Sequence, residues 1–393
     1  MTSRLNGKKI LIGVTSGIAI YKVLSLISKM RKLGASVEVI MTEDAAKFVQ
    51  PITFETMSDN TVYTDMWVHP GKVLHIDITN DVDLFLVAPA TANTIAKVNA
   101  GIADNLLTTA ILASKAPVAF TIAMNTNMFY NPITQRNISQ LRDLGYGFID
   151  SVEGQLACNT FGQGKMADPE DIIEWIEDYF VEKDLAGKKI IVTGGATISR
   201  LDPVRFITND SSGKSAYHIA REARARGANV VYITGRVRTP ELSGVKHVSI
   251  ETNQELADAI QADFNDADAL IMAVAPVDFE FAEDHEEKLK KSEGFDKQQI
   301  KFKESNDILK TFGHIKQGQK LIGFAAETNN LIVNAQKKLI SKNADYIIAN
   351  DVSLPDAGFN SDTNIISVIS KDDVISYDKM SKKDVANIIL DLI

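Results

Sequence analysis

One cysteine, Cys158, occurs in 393 residues. A lone thiol cannot close an intramolecular disulfide, so a structural cross-link is excluded and Cys158 is either an incidental free thiol or a chemical one. Long apolar runs are missing too, and none approaches the roughly 18 residues of a membrane-crossing helix. The opening MTSRLNGKKILIGV has no signal-peptide pattern, because its apolar run is short and ends in a glycine turn. With one cysteine and no export signal, the expected location is the cytoplasm. Basic residues are outnumbered, 42 Lys and Arg against 51 Asp and Glu, and the net charge of −9 argues against nucleic acid as the main partner. The six histidines show no zinc-type spacing, and one cysteine cannot build a Cys-rich metal site. The dinucleotide pattern G-x-G-x-x-G is absent as well, which favours a mononucleotide over NAD.

What is present is an ordinary globular composition, 45% hydrophobic and 24% charged, in a chain long enough for about two to three domains. Two segments resemble each other: Leu5–Thr15, LNGKKILIGVT, and Leu185–Gly194, LAGKKIIVTG. Each reads as a first parallel strand feeding a loop, an opening that occurs once per open α/β domain. Two domains are therefore expected, 1–184 and 185–393, with the boundary near Glu182–Ala186.

In the first half, strands are expected at Lys9–Val14, Ser36–Met41, Leu84–Ala88 and Val118–Ile122. Helices are expected at Ile18–Leu33, Thr91–Asn99, Asp104–Ala113, Pro132–Leu144 and Asp168–Tyr179. The second half continues with strands at Lys189–Thr193, Asn229–Thr234, Ala269–Val274, Lys320–Ala325, Tyr346–Ala349 and Ile365–Ile369. Its helices are Ser215–Arg226, Gln254–Phe264, Asp307–Ile315, Leu331–Ser341 and Lys382–Leu392. A polar loop is expected up to about Lys214, and a solvated loop over Asp284–Glu304. Such alternation indicates α/β architecture with parallel sheets and helices on both faces.

Several stretches could carry chemistry. Cys158 sits in GQLACNTFGQGKM, whose glycines suit a mobile flap over a ligand. GVTSG follows a strand and opens a helix, where backbone N–H groups favour a phosphate and Thr15 and Ser16 add hydroxyls. APATANT and AMNTNM end two further strands, and Asn125 offers donor and acceptor in one neutral group. His75, read as a loop residue, has acid–base or orienting work as its functional option. DSSGKS lacks the first glycine of a Walker A loop, Thr208 standing there, so that reading is rejected while a ligand-binding loop is kept.

These motifs together resemble a known family. GVTSGIAIYK, HIDIT, APATANT, GIADNLLT, AMNTNM and LACNTFGQGKMADP are similar to flavin-dependent phosphopantothenoylcysteine decarboxylases. LDPVRFITNDSSGK, APVDF, EKLKK, GFAAETNN and ANDVS are similar to the phosphopantothenate–cysteine ligases usually fused behind them. The resemblance implies a flavodoxin-like domain followed by a second Rossmann-like ligase domain, both open parallel-sheet structures. It implies FMN bound through Ser16, Gly17, Thr42, Thr91, Ala92 and Asn93. Cys158 is then the proton donor to the decarboxylated product, His75 acts beside flavin and substrate, and Asn125 holds the substrate carboxylate.

In the ligase half the resemblance assigns Asn209 and Arg205 to the activated acyl intermediate. Asp278, Lys288, Ser305, Asn306, Asp307, Ile308, Phe324, Lys338 and Lys342 fall to CTP, with Mg2+ expected and its ligands unassigned. The implied substrates are 4′-phosphopantothenate, L-cysteine and CTP, with neither nucleic acid nor membrane as partner. Homo-oligomers are implied, decarboxylase trimers and ligase dimers. The chain departs from the family at Thr193–Thr197 (TGGAT for TAGPT), at Ile122 (for Pro), at Asn159 and Lys165 in the flap, and in SSGKSA. Lysine at 165 does not reproduce an arginine's bidentate fork. A non-catalytic, flavoprotein-like regulatory subunit is the alternative reading.

Overall fold

The structure is a computed structural model that describes residues 3–67, 73–156, 161–283, 285–289, 300–327, 330–351 and 361–393. The chain divides into two compact units, Met1–Val181 and Glu182–Ile393.

The first unit begins β1 (Lys9–Val14), α1 (Ile20–Lys32), β2 (Ser36–Met41), α2 (Glu43–Ala46), α3 (Pro51–Ser58), β3 (Val62–Tyr63) and α4 (Leu74–Asp77). It continues β4 (Leu84–Ala90), α5 (Ala92–Asn99), α6 (Leu106–Ala113), β5 (Val118–Ile122), α7 (Thr126–Phe129), α8 (Pro132–Asp143) and β6 (Gly147–Ile149). A hairpin, β7 (Val152–Gln155) and β8 (Phe161–Lys165), leads to α9 (Pro169–Tyr179). The six main strands are parallel in the order β3-β2-β1-β4-β5-β6. Setting aside the two-residue β3, the remaining order is that of flavodoxin; with it, the order is that of the Rossmann fold. Either way the strand order reverses between β1 and β4, and a ligand crevice is expected beyond their carboxyl ends. β4 and β5 are buried along their whole length, as continuous apolar runs covered on both faces must be.

The second unit begins β9 (Lys189–Gly194), β10 (Ile198–Arg200), β11 (Phe206–Thr208), α10 (Lys214–Ala225), β12 (Asn229–Thr234), β13 (Lys246–Ser249) and α11 (Asn253–Phe264). Next come β14 (Ala269–Met272), β15 (Phe279–Phe281), β16 (Phe302–Glu304), α12 (Ile308–Ile315), β17 (Lys320–Glu327) and α13 (Leu331–Ser341). β18 (Tyr346–Asp351), β19 (Thr363–Ile369), β20 (Val374–Ser381) and α14 (Lys382–Leu390) complete it. The main sheet runs β13-β12-β9-β14-β17-β18-β19-β20, parallel through β18 and antiparallel across β19 and β20. Its order reverses between β9 and β14.

The two similar openings have one physical cause. In the first, Lys9 N–H donates to Asp83 Oδ2 at 2.8 Å and the Lys8 ammonium reaches Asp83 Oδ1 at 3.0 Å. In the second, Lys189 N–H donates to Asp268 Oδ2 at 2.8 Å and Lys188 reaches Asp268 Oδ1 at 3.3 Å. Each lysine pair thus clasps the first strand to the aspartate that precedes its switch-point neighbour, β4 or β14.

The structure corrects several expectations. The polar stretch before Lys214 contains the antiparallel pair β10–β11, and Asp284–Glu304 contributes β16, which pairs with β15. Stacking of Phe281 on Phe302, with ring centroids 5.0 Å apart, contributes to holding that ribbon. His75 lies in the helical turn α4 rather than in a loop. Edge strands β3, β6, β13 and β20 were unanticipated, because a solvated edge needs no continuous apolar run; β13, for instance, is mostly exposed.

Candidate active sites

At the switch point of the first unit a buried threonine ties two loops together. Thr15 Oγ1 donates to Pro89 O at 2.6 Å and accepts from Thr91 N–H at 3.3 Å. The loop after β1 and the start of α5 are therefore held in register across the crevice. Ser16 and Gly17 follow Thr15, and a turn from Gly17 precedes α1, with Ile20 N–H donating to Gly17 O. Thr91 and Thr42 are N-caps, their hydroxyls accepting from Thr94 N–H and Ala45 N–H. Their side chains thus fix the starts of α5 and α2, and Ala92 and Asn93 supply first-turn backbone donors of α5. Neutral hydroxyls and helix-start N–H groups on adjacent strand ends form a donor set that fits the phosphate of a flavin mononucleotide.

The next strand end carries Asn125, the N-cap of α7, whose Oδ1 accepts from Asn127 N–H at 2.9 Å. That bond spends the acceptor end of the amide on the backbone and fixes the side chain's orientation. The β7–β8 hairpin crosses directly over this loop: Gly164 O accepts from Met124 N–H at 2.9 Å. Gly164 has φ +125, and a Cβ there would lie 2.3 Å from Met124 O, so the contact requires glycine. The Lys165 side chain lies across Gly154 of the paired strand. Just beyond the hairpin, the nearly buried Lys22 of α1 donates to Met166 O at 2.8 Å and Asp168 Oδ1 at 2.7 Å. The Lys22 ammonium holds the Asp168 carboxyl below its ordinary range. Cys158 and Asn159, expected at the hairpin tip, lie outside the described residues. His75, half-buried, sits on α4, which packs on α6 through Leu74 and Ile78.

The second unit has a cavity of about 600 Å³ at the carboxyl ends of β9, β14 and β17. Asn209, Asp278, Ser305, Asn306, Asp307, Ile308, Phe324, Lys338 and Lys342 all line it. The Asn209 amide donates to Pro276 O at 2.9 Å and more weakly to Ala275 O at 3.3 Å, which pins the loop before α10 to the end of β14. Ser305 Oγ donates to Val277 O at 2.5 Å, and its N–H donates to Asp278 O at 3.0 Å. Asp307 caps α12 through Lys310 N–H and ion-pairs with Lys342. Among the described residues no group of three or more His, Cys, Asp or Glu could hold a metal ion.

Arg205 and Lys288 do not line this cavity. Arg205 donates to Asp202 Oδ2 through Nε at 2.9 Å and a terminal nitrogen at 2.5 Å, and to Leu289 O at 2.8 Å. Burial acts to raise the Asp202 carboxyl, but the guanidinium and the N–H groups of Val204, Arg205 and Leu289 hold it far below its ordinary range. Asp202 is thus a hub that fastens the segment carrying the exposed Lys288 to the β10–β11 hairpin.

Sequence reasoning missed the supports of both sites. Thr197 Oγ1 donates to Asn253 Oδ1 at 2.7 Å and accepts from Val277 N–H at 2.9 Å, while the Asn253 amide donates to Val277 O. This buried network fixes the loop leading to Asp278. Nothing in the spacing of Thr197, Asn253 and Val277 announces it, because it forms only when three strand ends meet. In TGGAT, Gly195 has φ +77, and a Cβ would meet Arg236 O at 2.4 Å, which accounts for glycine at that position.

Residues 1–180 match a family model described as flavoprotein. Residues 185–393 match one described as DNA/pantothenate metabolism flavoprotein C-terminal domain. The coenzyme A biosynthesis bifunctional protein CoaBC of Bacillus subtilis (strain 168) is 42% identical over 374 residues, covering 94% of this chain and 92% of that protein. The protein of the same name from Escherichia coli (strain K12) is 40% identical over 375 residues, covering 94% and 92%. A crystal structure of the C-terminal domain of a CoaBC is 37% identical and covers 53% of this chain and 94% of that one, with a TM-score of 0.46.

Proposed function

The chain belongs to the family of coenzyme A biosynthesis bifunctional proteins, and on that footing we propose that it carries out two successive reactions. Residues 185–393 join L-cysteine to 4′-phosphopantothenate with CTP, through an acyl-cytidylate whose CMP is displaced by the cysteine amine. Residues 1–184 then decarboxylate 4′-phosphopantothenoylcysteine to 4′-phosphopantetheine. FMN, when bound, supplies the reversible two-electron oxidation that makes loss of CO2 easy. Ser16, Gly17, Thr42, Thr91, Ala92 and Asn93 hold it, Asn125 donates to the substrate carboxylate, His75 orients the reacting end, and Cys158 returns a proton.

In the ligase, Arg205 and Asn209 handle the acyl intermediate, and Lys288, Lys338 and Lys342 neutralise the triphosphate. Mg2+ enters with the nucleotide, held mainly by phosphate oxygens, a mode that needs at most one or two carboxylates such as Asp278. The reaction runs in the cytoplasm, in a homo-oligomer. The observation that carries the ligase reading is the second unit's cavity, where the side chains expected to bind nucleotide line one space.

The purified chain should be yellow, release pyrophosphate only when CTP, phosphopantothenate and cysteine are all present, and release CO2 from the ligated product. A colourless chain without either activity would favour the regulatory-subunit reading. Cys158→Ser should still bind flavin and release CO2 but accumulate an enethiol product, and full turnover to phosphopantetheine would remove Cys158 from the proton-donor role.

A further inference from the structure

The far side of the ligase cavity contains a lysine that none of the assignments above uses. Lys382 opens α14 and is 3% exposed, yet it lines the cavity together with Lys214, the first residue of α10. The two helices pack against each other. The N-cap of α10 is Gly213, which has φ +77 and no side chain to bond the first-turn N–H groups. Those groups sit at residues Gly213–Ala216 on the cavity wall. Two further buried polar side chains, Asn350 and Asn364, come from the ends of β18 and β19.

An ammonium is costly to bury without an anion. Burial first, and the Lys214 charge second, lower the Lys382 ammonium to about 8 against the opposing pull of Asp362. The exposed Asp362 is a nearby counter-charge, paired with Lys214 at 2.6 Å, while its carbonyl accepts from Lys382 N–H at 3.0 Å. The neighbouring His218 is pushed down to about 4, by burial first and then by the Arg221 and Lys382 charges, so it adds no cation near neutral pH. Two ammonium groups and two helix N-termini, one lacking a side-chain cap, therefore converge on one end of an open cavity. That combination matches a phosphoryl group, a compact anion with several acceptor oxygens.

We propose that Lys382 and Lys214 form a phosphoryl-binding subsite of the ligase cavity, at the joined N-termini of α14 and α10. Its ligand is a phosphate group of either the nucleotide triphosphate or the acyl substrate. The proposal rests on the ligase reading for its physiological ligand, but the subsite can be tested apart from activity.

The full-length chain, with its flavin, is titrated calorimetrically with inorganic pyrophosphate and with inorganic phosphate. Lys382→Met and Lys214→Ala are compared with the native protein, flavin absorbance and decarboxylation reporting that each has folded. Each variant should weaken binding of at least one of these anions roughly ten- to hundred-fold, the size of one hydrogen bond to a charged group. Michaelis constants then separate the two sources. A rise confined to CTP identifies the triphosphate, one confined to phosphopantothenate identifies the substrate phosphate, and the constant for cysteine stays put in both cases. Failure of ligation in the native chain would remove the ligase reading and leave anion binding as the measure of the subsite. Native protein that binds neither anion overturns the proposal, as does equal binding in native and variant chains. Should Lys382→Met fail to fold, the half-exposed Lys214→Ala alone decides.

Discussion

Lys8 and Lys9 clasp Asp83 at the start of the first sheet, and Lys188 and Lys189 clasp Asp268 at the start of the second. The amino-terminal edges of the two central strands are thus built alike, while their carboxyl edges are not. Beyond β1 and β4 lie Thr15, Ser16 and Thr91, and beyond β5 lies Asn125 beneath a hairpin. The second unit instead gathers Lys214, Lys338, Lys342 and Lys382 around one cavity. The shared edge serves the fold, since it sets which strand pairs with which. The divergent edge serves chemistry: neutral hydroxyl and amide donors can orient a nucleotide cofactor without a strong field, whereas lysines offset the charge of a polyphosphate.

Three substitutions probe that contrast, beginning with the largest expected effect. Lys288 is exposed, and an ordinary surface lysine changed to alanine alters stability by only about 0.5 kcal/mol or less. If it stabilises charge as pyrophosphate leaves, Lys288→Ala should lose about 10²–10³ in ligation rate with decarboxylation intact. Pyrophosphate release at saturating and limiting CTP measures this, and a near-native rate would return Lys288 to a solvated surface role.

Thr15→Val probes the neutral site. It keeps the shape but leaves Pro89 O without its donor and Thr91 N–H without its acceptor, a loss of about 1–3 kcal/mol. Flavin should dissociate at least several-fold more readily, followed by its fluorescence on dilution, while ligation is unchanged. Flavin retention equal to the native protein would show that the two loops hold their register without this bridge.

The smallest effect concerns the latch between α1 and the end of the hairpin. Asp168 is held below its ordinary carboxylate range by Lys22, so its contribution is fully present above the unfolded value near 3.9. It is lost as pH falls through the lower folded value. Asp168→Asn should therefore flatten the acid limb of stability below about pH 4. Because Asp168 itself is largely exposed, the change at neutral pH should stay under about 1 kcal/mol. Urea unfolding across pH, followed by flavin release, reads both quantities; identical acid limbs would rule the latch out as a contributor.

How much of this was legible beforehand depended on where each residue gets its constraint. The runs Lys9–Val14, Ser36–Met41, Val118–Ile122 and Asn229–Thr234 announce buried parallel strands by themselves, because both faces must be apolar, and the structure gives them the same bounds. The alternation of strands and helices likewise determined an α/β architecture, and local motifs pointed to strand ends as sites. The hairpin β10–β11 and the ribbon β15–β16 escaped notice, since short exposed strands are selected by a partner far away in the chain. The same holds for Thr15 with Pro89, Lys22 with Asp168, Thr197 with Asn253, and Lys382 with Lys214. Each of these residues is unremarkable in its own segment. A hydrogen bond or a buried charge draws its meaning from groups that only chain folding brings within a few ångströms, so periodicity determined the elements and tertiary contact alone decided which side chains act together.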